Sequence, residues 1–411
     1  MTVDERDAGT DAEADANADS PTDAVLVSFG ELSTKSSEVR MKMTRRLRDN
    51  VAALLADRDV ESTVERTWAR LVVHTPDPER AARVAADAPG VVWARPGATR
   101  PADPDAVGDA LAALARAAPP VDTYAVRARR VGDDDDHDFS SRDLEREGGR
   151  VVGAVTDAAV DLEDPDRTYH VEVRDDRAHV AARSVAGPGG LPVGTQAPLV
   201  ALVSGGHDSP VAAYEAMRRG SPIRPLYVSL GVYGGPDHEA RAAATVDRLA
   251  GYAPNFDCRL RIVPGGELAE RLVADVGDTR MLSWRRALLR MAEAVVARTD
   301  AVGVVTGEAI GQKSSQTAAN LAVTDAAVDA PVHRPLLTRD KDAIVEQARA
   351  IGTYEDSSIP VGCERLAPGT PATGATLEAV VAAEPDGLLA DAAAAVDDLW
   401  IADGGETAQS I

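Results

Sequence analysis

Apolar residues return every three to four positions over 36–56, where Val39, Met43, Leu47, Val51 and Leu55 lie on one stripe. That period is helical, so a helix is expected there, opened by a cap at Ser33 or Thr34. Before it, AVLVSF (24–29) reads as a strand, ended by Gly30. STVERTW, ARLVVHT and a helix near 78–88 complete a small α+β unit. A second unit follows with a helix (DAVGDALAALARAAP), a strand (TYAVRARRV) and an Asp-rich loop (GDDDDHD). SSRDLEREGGRVVGAVTDAA then reads as a helix capped at Ser141, and YHVEVRD and RAHVAAR read as strands. The next stretch behaves differently. APLVALV, IRPLYVSL, LRIVP and AVGVVTG are unbroken apolar runs, the pattern of strands buried on both faces. Helical stretches near 210–219, 236–250, 266–276, 281–298 and 340–350 separate or follow them, which predicts a doubly wound α/β domain with a parallel sheet.

The resulting division is an acidic tail (1–22), an α+β unit (23–80), a second α+β unit (81–186), a Gly/Pro-rich linker (187–196), an α/β domain (197–374) and an acidic helical tail (375–411). Residues 1–22 hold few large apolar side chains and are expected to stay unfolded. No apolar run is long enough to span a bilayer, and the N-terminus lacks a basic and apolar leader pattern. A cytoplasmic protein with no membrane association is expected.

Charge changes the picture. The 411 residues carry a net charge of −23, and only four of the cations are Lys. An acidic, Lys-poor surface fits a protein kept soluble in high salt, although a GC-rich genome would give the same Arg and Ala bias. An acidic chain repels nucleic acid, so any RNA site must be a local concentration of cations. Two such clusters stand upstream of the α/β domain. One holds Lys35, Arg40, Lys42, Arg45, Arg46 and Arg48; the other Arg127, Arg129, Arg130 and Arg142. Taken singly, each is more simply a solvated charge. The two cysteines, Cys258 and Cys363, form no C-x-x-C pair, so a disulfide scaffold, a zinc site or an iron–sulfur cluster finds no support.

The sharpest chemical signal is LVSGGHDSPVAAYEAMRRG (202–220). A buried strand runs into Ser-Gly-Gly-x-Asp-Ser and then a helix closed by Gly220. Two glycines let amides approach an anion, the helix N-terminus adds partial positive charge, and Ser204 and Ser209 add hydroxyls. No P-loop lysine is present. The turn resembles the PP-loop of ATP pyrophosphatases; a ligand-free strand–helix turn is the plainer alternative. The second signal is VTGEAIGQKSSQT (305–317), where Gly307 ends a strand and Glu308, Gln312, Ser314, Ser315 and Gln316 gather polar groups. On their own these are equally a solvated loop.

T-G-E-x-x-G-Q-x-x-S-Q-T-x-x-N-L, followed by R-P-L, D-K and I-G-T, is similar to the tRNA 4-thiouridine synthetase family. So are FGELSTK with RLRDN, RARRV with HDFSSRDLER, HVEVRDDRA and GPGGLPVGTQ, in family order over 24–370. The resemblance implies a ferredoxin-like domain, a THUMP RNA-binding domain and a PP-loop domain that adenylates a tRNA uridine and inserts sulfur. Carried over by position, it places ATP against Leu202, Val203, Ser204, Gly205, Gly206, Asp208, Ser209, Tyr227, Val228, Arg285, Gly307 and Gln316. Arg285 stands where the family commonly has Lys. Asp208 is implied as a catalytic residue and a ligand for Mg²⁺, and Cys363 as the reactive thiol. No rhodanese-like domain is expected after it, so the sulfur donor stays open between sulfide, a persulfide-carrying protein and a cluster ligated otherwise. Sulfur transfer to a carrier protein for thiamine synthesis is a second product the family suggests, and a homodimer is among the assemblies it allows. An RNA-binding module with a vestigial nucleotide site is the alternative from another class.

Overall fold

A computed structural model describes residues 22–30, 36–67, 69–132, 136–234, 236–355 and 363–402. It divides into two compact units, one ending at Gly190 and the other starting at Leu191. The expected caps Ser33 and Thr34, residue Lys35 and residues 133–135 of the Asp-rich loop lie outside the described residues.

The first unit is built on one mixed sheet. Its elements are β1 (Ala24–Phe29), α1 (Ser37–Asp57), β2 (Thr63–Arg66), β3 (Leu71–His74), α2 (Pro78–Ala86) and β4 (Val91–Pro101). They continue with α3 (Pro104–Ala117), β5 (Thr123–Val131), α4 (Ser141–Val155), β6 (Ala159–Val160), β7 (Arg167–Arg174), β8 (Arg177–Ala181) and β9 (Val185–Ala186). The strand order is β2-β3-β1-β4-β8-β7-β5-β6, with β9 also on β4. The long β4 joins the two halves: it pairs with β1 on one side and with β8 on the other. Val25, Val27, Leu71, Val73 and Ala94 pack beneath α1 and α2, and Tyr124, Val126, Val171 and Val180 beneath α3 and α4. The junction expected at 80/81 falls inside α2, whose Ala81, Ala82 and Ala85 are fully buried in the first of these cores. The cap of α4 is one residue earlier than the sequence suggests. Ser140 and Asp143 form a reciprocal capping box, while the Ser141 hydroxyl accepts the Arg130 amide at 3.0 Å.

The second unit is the expected doubly wound domain. Its strands and helices are β10 (Leu199–Leu202), α5 (Asp208–Arg218), β11 (Ile223–Ser229), α6 (Pro236–Ala250), β12 (Arg261–Pro264), α7 (Gly266–Asp275), α8 (Arg280–Val296) and β13 (Val304–Val305). After them come α9 (Ala318–Asp325), β14 (Val332–His333), α10 (Lys341–Ala350), α11 (Cys363–Leu366), α12 (Leu377–Ala383), α13 (Leu388–Ala394) and β15 (Trp400–Ile401). The sheet order is β14-β13-β10-β11-β12-β15, parallel except for β15. The chain moves outward from β10 in both directions, so the switch point lies between β10 and β13. One core covers each face of the sheet.

Two expectations change here. Residues 375–402 are not an appended tail. Val380, Leu388 and Ala392 are buried, and β15 adds an antiparallel strand beside β12. The residues expected as a linker are tied down within their own units. The Gly187 and Gly189 amides donate to Val92 and Val91, while those of Leu191 and Gly194 donate to Arg218 and Gly220. No described helix is long and apolar enough to cross a membrane.

Candidate nucleotide site

β10 ends at the switch point and hands the chain to the 203–207 turn, which opens α5. The Ser204 amide donates to Ser209 Oγ at 2.9 Å, the two hydroxyls lie 3.2 Å apart, and the Gly206 amide donates to Ser204 Oγ at 3.4 Å. The turn is thus closed on itself by its own serines. His207 occupies the cap position of α5, and no side chain caps the helix there. The α5 N-terminus therefore keeps its dipole directed at the loop, the arrangement that suits a phosphate. Gly307, just beyond β13, presses on this junction. A Cβ there would sit 2.7 Å from the Asp208 carbonyl carbon and the Ser209 nitrogen. Only glycine allows the end of β13 and the start of α5 to meet so closely.

A cleft opens over these two strand ends. Leu202, Val203, Ser204, Gly205, Asp208, Ser209, Tyr227, Val228, Arg285, Gly307 and Gln316 all line it, as the resemblance implied. Gly206 does not reach the lining and acts within the turn instead. Several walls were not foreseen: Leu230 after β11, His238 on α6, Met281, Trp284 and Leu288 on α8, and Thr306 after β13. The α8 residues share a stripe with Arg285 at helical spacing, a signal present in the sequence that could have found them. These walls make an apolar slot suited to a planar base, opening onto a polar floor suited to phosphates.

The floor is organised by buried charge. Glu308 accepts Arg285 Nη1 at 2.5 Å, Arg334 Nε at 2.8 Å and Thr306 Oγ1 at 3.0 Å. Its side chain is 8% exposed, as is that of Arg334. Burial alone would raise its pKa, but Arg285 and Arg334 overcome that and hold the carboxyl below its ordinary value. Arg334 is also paired with Asp325. Arg285 Nε reaches Ser315 Oγ at 3.0 Å, and Gln316, with its amide oxygen turned towards Arg285, accepts Nη2 at 2.9 Å. A cation is therefore fixed beside the phosphate loop by three partners, Glu308, Ser315 and Gln316. The polar cluster of 308–316 is part of this floor, with Ser315 and Gln316 both buried.

Asp208 is placed at the edge of the loop, paired with Lys341 Nζ at 2.8 and 3.1 Å. Gln312 bridges the two, donating to Asp208 Oδ2 at 3.2 Å and accepting Lys341 Nζ at 2.8 Å. Among the described residues no three His, Cys, Asp or Glu groups gather as a metal site. Asp208 alone would offer a carboxylate at this loop, which fits a Mg²⁺ carried largely by phosphate oxygens and water.

Cys363 begins α11, and its side chain is outside the described residues. The helix it heads packs beside the 231–233 turn and is held by buried Leu366, whose carbonyl accepts Arg280 Nη1 at 3.3 Å. Cys258 is away from the cleft and buried, and burial, reinforced by Asp257, pushes its thiol up to about 12.

In the first unit, Lys42, Arg45 and Arg46 of α1 are exposed and Arg40 and Arg48 half-buried. Lys42 pairs with Glu38 and Arg48 with Asp49. Arg130 and Arg142 line one small recess, and Arg127 and Arg142 line a second beside it. The sheet face opposite the helices holds a charged group that the sequence did not suggest. The Arg95 guanidinium lies 3.8 Å from the Trp93 ring centre, and Glu172 accepts Arg70 at 3.0 Å and Arg174 at 2.6 Å.

Three family models match the chain: the ThiI ferredoxin-like domain over 24–94, the THUMP domain over 102–182, and the thiamine biosynthesis protein (ThiI) over 194–388. A probable tRNA sulfurtransferase of Halobacterium salinarum is 55% identical, covering 92% of this chain and 96% of that protein. One from Methanosarcina acetivorans is 36% identical over 88% of each chain. Among solved structures, the chain is similar to a 4-thiouridine synthetase crystallised with RNA and bound ATP. The TM-score is 0.81 at 26% identity, over 93% of this chain and all of that one.

Proposed function

This chain belongs to the tRNA sulfurtransferase family, and from that premise we propose that it adenylates a tRNA uridine at position 8 and converts it to 4-thiouridine. ATP binds with its phosphates on the 204–209 turn and its base in the slot beside Tyr227, Val228 and Trp284. The uridine O4 attacks the α-phosphorus, pyrophosphate leaves, and sulfur then displaces AMP from C4. The enzyme need not supply covalent chemistry for the first half; positioning and charge neutralisation by the loop amides, Arg285 and Lys341 do the work. Asp208 orients Lys341 and offers the one carboxylate at the loop to a Mg²⁺ on the phosphates, which would neutralise charge as pyrophosphate departs.

Where the donor is a persulfide-carrying protein, the Cys363 thiolate attacks its terminal sulfur and the carrier leaves as a thiol. The Cys363 persulfide then attacks C4 as AMP leaves, and an external thiol cleaves the resulting disulfide to free 4-thiouridine. Where the donor is sulfide, sulfide attacks C4 directly and Cys363 carries no sulfur. Arg365, exposed and two residues further along the chain, is the cation nearest in sequence to favour its thiolate. The cations of α1, β5 and α4 in the first unit contact tRNA phosphates, in the stretches that match the ferredoxin-like and THUMP models. Sulfur transfer to a carrier protein of the thiamine pathway uses the same chemistry on a carboxylate.

The observation that carries this reading is the uncapped, serine-closed turn at the switch point, with Arg285 fixed beside it. The test is direct. Unmodified folded tRNA, ATP and sulfide are mixed with the protein, and AMP, pyrophosphate and the near-ultraviolet absorbance of 4-thiouridine are measured. Asp208→Ala is expected to stop AMP release while tRNA affinity stays near normal. Absence of tRNA-dependent AMP from the wild-type protein would leave an RNA-binding module with a vestigial nucleotide site.

A further inference from the structure

A buried polar atom without a partner costs free energy, so each one in a folded protein calls for a reason. The phosphate turn holds such an atom. Nε2 of His207 is buried and has no hydrogen-bond partner among the described residues. His207 stands at the cap position of α5, one residue before Asp208. Its ring packs against that of Tyr354, with centroids 6.1 Å apart, and Tyr354 in turn carries the Arg349 guanidinium 4.6 Å from its ring centre. The imidazole is thus backed by the chain that follows α10. The acceptor its Nε2 approaches is Asp208 Oδ1, at 3.7 Å. That is about half an ångström too long for a hydrogen bond.

Asp208 is satisfied from elsewhere. Lys341 Nζ lies 2.8 and 3.1 Å from its two oxygens, and Gln312 donates to Oδ2. Lys341 is the less permanent of these partners. It opens α10 on a long flexible stem, and its side chain is 43% exposed. An ammonium held by one carboxylate is drawn to the larger charge once a triphosphate occupies the turn. Asp208 is then left beside the phosphates without its cation, and like charges repel. An imidazole offers a hydrogen from Nε2 whether it is charged or in the matching neutral tautomer. A small swing of the Asp208 carboxylate closes the remaining gap and gives the orphaned nitrogen its partner.

We propose that His207 is a positioning residue for Asp208: as Lys341 turns from Asp208 to the phosphates of ATP, the His207 Nε2–H closes on Asp208 Oδ1 and holds the carboxylate in place for adenylation. One donor replaces another, and no proton is transferred. The proposal rests on the adenylation reading above, through the role given there to Lys341, and the experiment separates the two. His207→Phe keeps a ring against Tyr354 but removes the hydrogen; His207→Gln removes the ring but keeps an N–H at similar reach. Single-turnover, tRNA-dependent pyrophosphate formation is measured for both at saturating ATP, with urea unfolding and tRNA affinity measured alongside. His207→Phe is expected to be slower by about 10-fold or more, and His207→Gln to stay within about threefold of the wild type. Separately, the imidazole nitrogen and Nε2–H resonances of His207, identified by their loss in His207→Gln, are followed as a non-hydrolysable ATP analogue is added. A downfield shift of the Nε2 proton with slower solvent exchange is expected. A near-normal rate in His207→Phe overturns the proposal, as does a His207→Gln rate as low as that of His207→Phe, or an imidazole signal that the analogue leaves unchanged. Wild-type protein that forms no pyrophosphate with tRNA refutes the adenylation reading, and the imidazole signal then decides the His207–Asp208 contact by itself.

Discussion

Gly307 meets the backbone of Ser209 so closely that a methyl group on it would stand 2.7 Å from the Ser209 nitrogen. The residue after β13 and the first turn of α5, 98 positions apart in sequence, therefore share one wall of the phosphate site. Gly307→Ala cannot be relieved by a side-chain rotation, because the obstacle is backbone. It should displace the start of α5, cost about 1–3 kcal/mol of stability, and weaken ATP binding at least tenfold. Calorimetric titration with ATP and urea unfolding check both; ATP affinity equal to wild type means the junction is not part of the phosphate site.

Glu308 should make the fold sensitive to acid. Its folded-state carboxyl is held below the ordinary value, so its stabilising contribution is complete above the unfolded value of about 4.3 and disappears as pH falls through the lower, folded one. Glu308→Gln leaves Arg285 and Arg334 without their shared counter-charge. The loss is expected to be about 3–5 kcal/mol near neutrality, shrinking below about pH 4. Unfolding free energies of both proteins across pH 3–7 test this. A difference that does not vary with pH refutes the charge-based account.

How far the sequence reveals these features follows from their range. The strand, turn and helix of 199–218 are local, and apolar runs, glycines and a closing Gly220 identify them without the structure. The partnership of Glu308 with Arg285 and Arg334 spans 23 and 26 residues, and no spacing rule reports it. Position alone nominated Arg285, through family resemblance; Trp284 was marked only by its place on the same helical stripe, and His238 by nothing. The Ala-rich end of the chain misled for the opposite reason. Its composition suggests a solvated helix, but Val380, Leu388 and Ala392 face α8 and neighbouring elements, a choice only tertiary packing makes.

That packing makes the end of the chain indispensable. Arg286, next to the cleft's Arg285, has a side chain 4% exposed and is neutralised by Glu384 of the 375–402 segment at 2.6 Å. Glu384→Ala would leave a buried, uncompensated cation in α8. A loss of about 3–5 kcal/mol is expected, with a lower unfolding temperature and weaker ATP binding. Deleting residues from 375 should be worse. Wild-type thermal stability in the deletion would show that the segment is dispensable after all.

The two thiols should behave differently. Cys258 is 6% exposed, with its thiol pushed up to about 12, so it carries almost no thiolate at pH 8. Brief treatment of the native protein with iodoacetamide should label Cys363 and spare Cys258, as read by peptide mass. Cys363→Ser should then abolish labelling and, with a persulfide-carrying protein as donor, thiolation, while leaving tRNA-dependent pyrophosphate release intact. Equal labelling of the two cysteines removes the distinction.

The RNA surface can be tested through salt. A chain of net charge −23 repels tRNA as a whole, so attraction must come from a few local cations. Arg45 and Arg46 are exposed on α1, within the stretch matching the ferredoxin-like model. Each phosphate they neutralise releases condensed counterions and adds about 0.7–0.9 to the slope of log affinity against log salt. Changing both to Ala should therefore weaken tRNA binding most at low salt and reduce that slope by about one to two, with ATP binding unaltered. At molar salt the two proteins should converge, because the term that distinguishes them has been screened away. Affinities measured from about 0.2 to 2 M KCl decide it, and parallel lines of unchanged slope would mean that these arginines are only a solvated helix face.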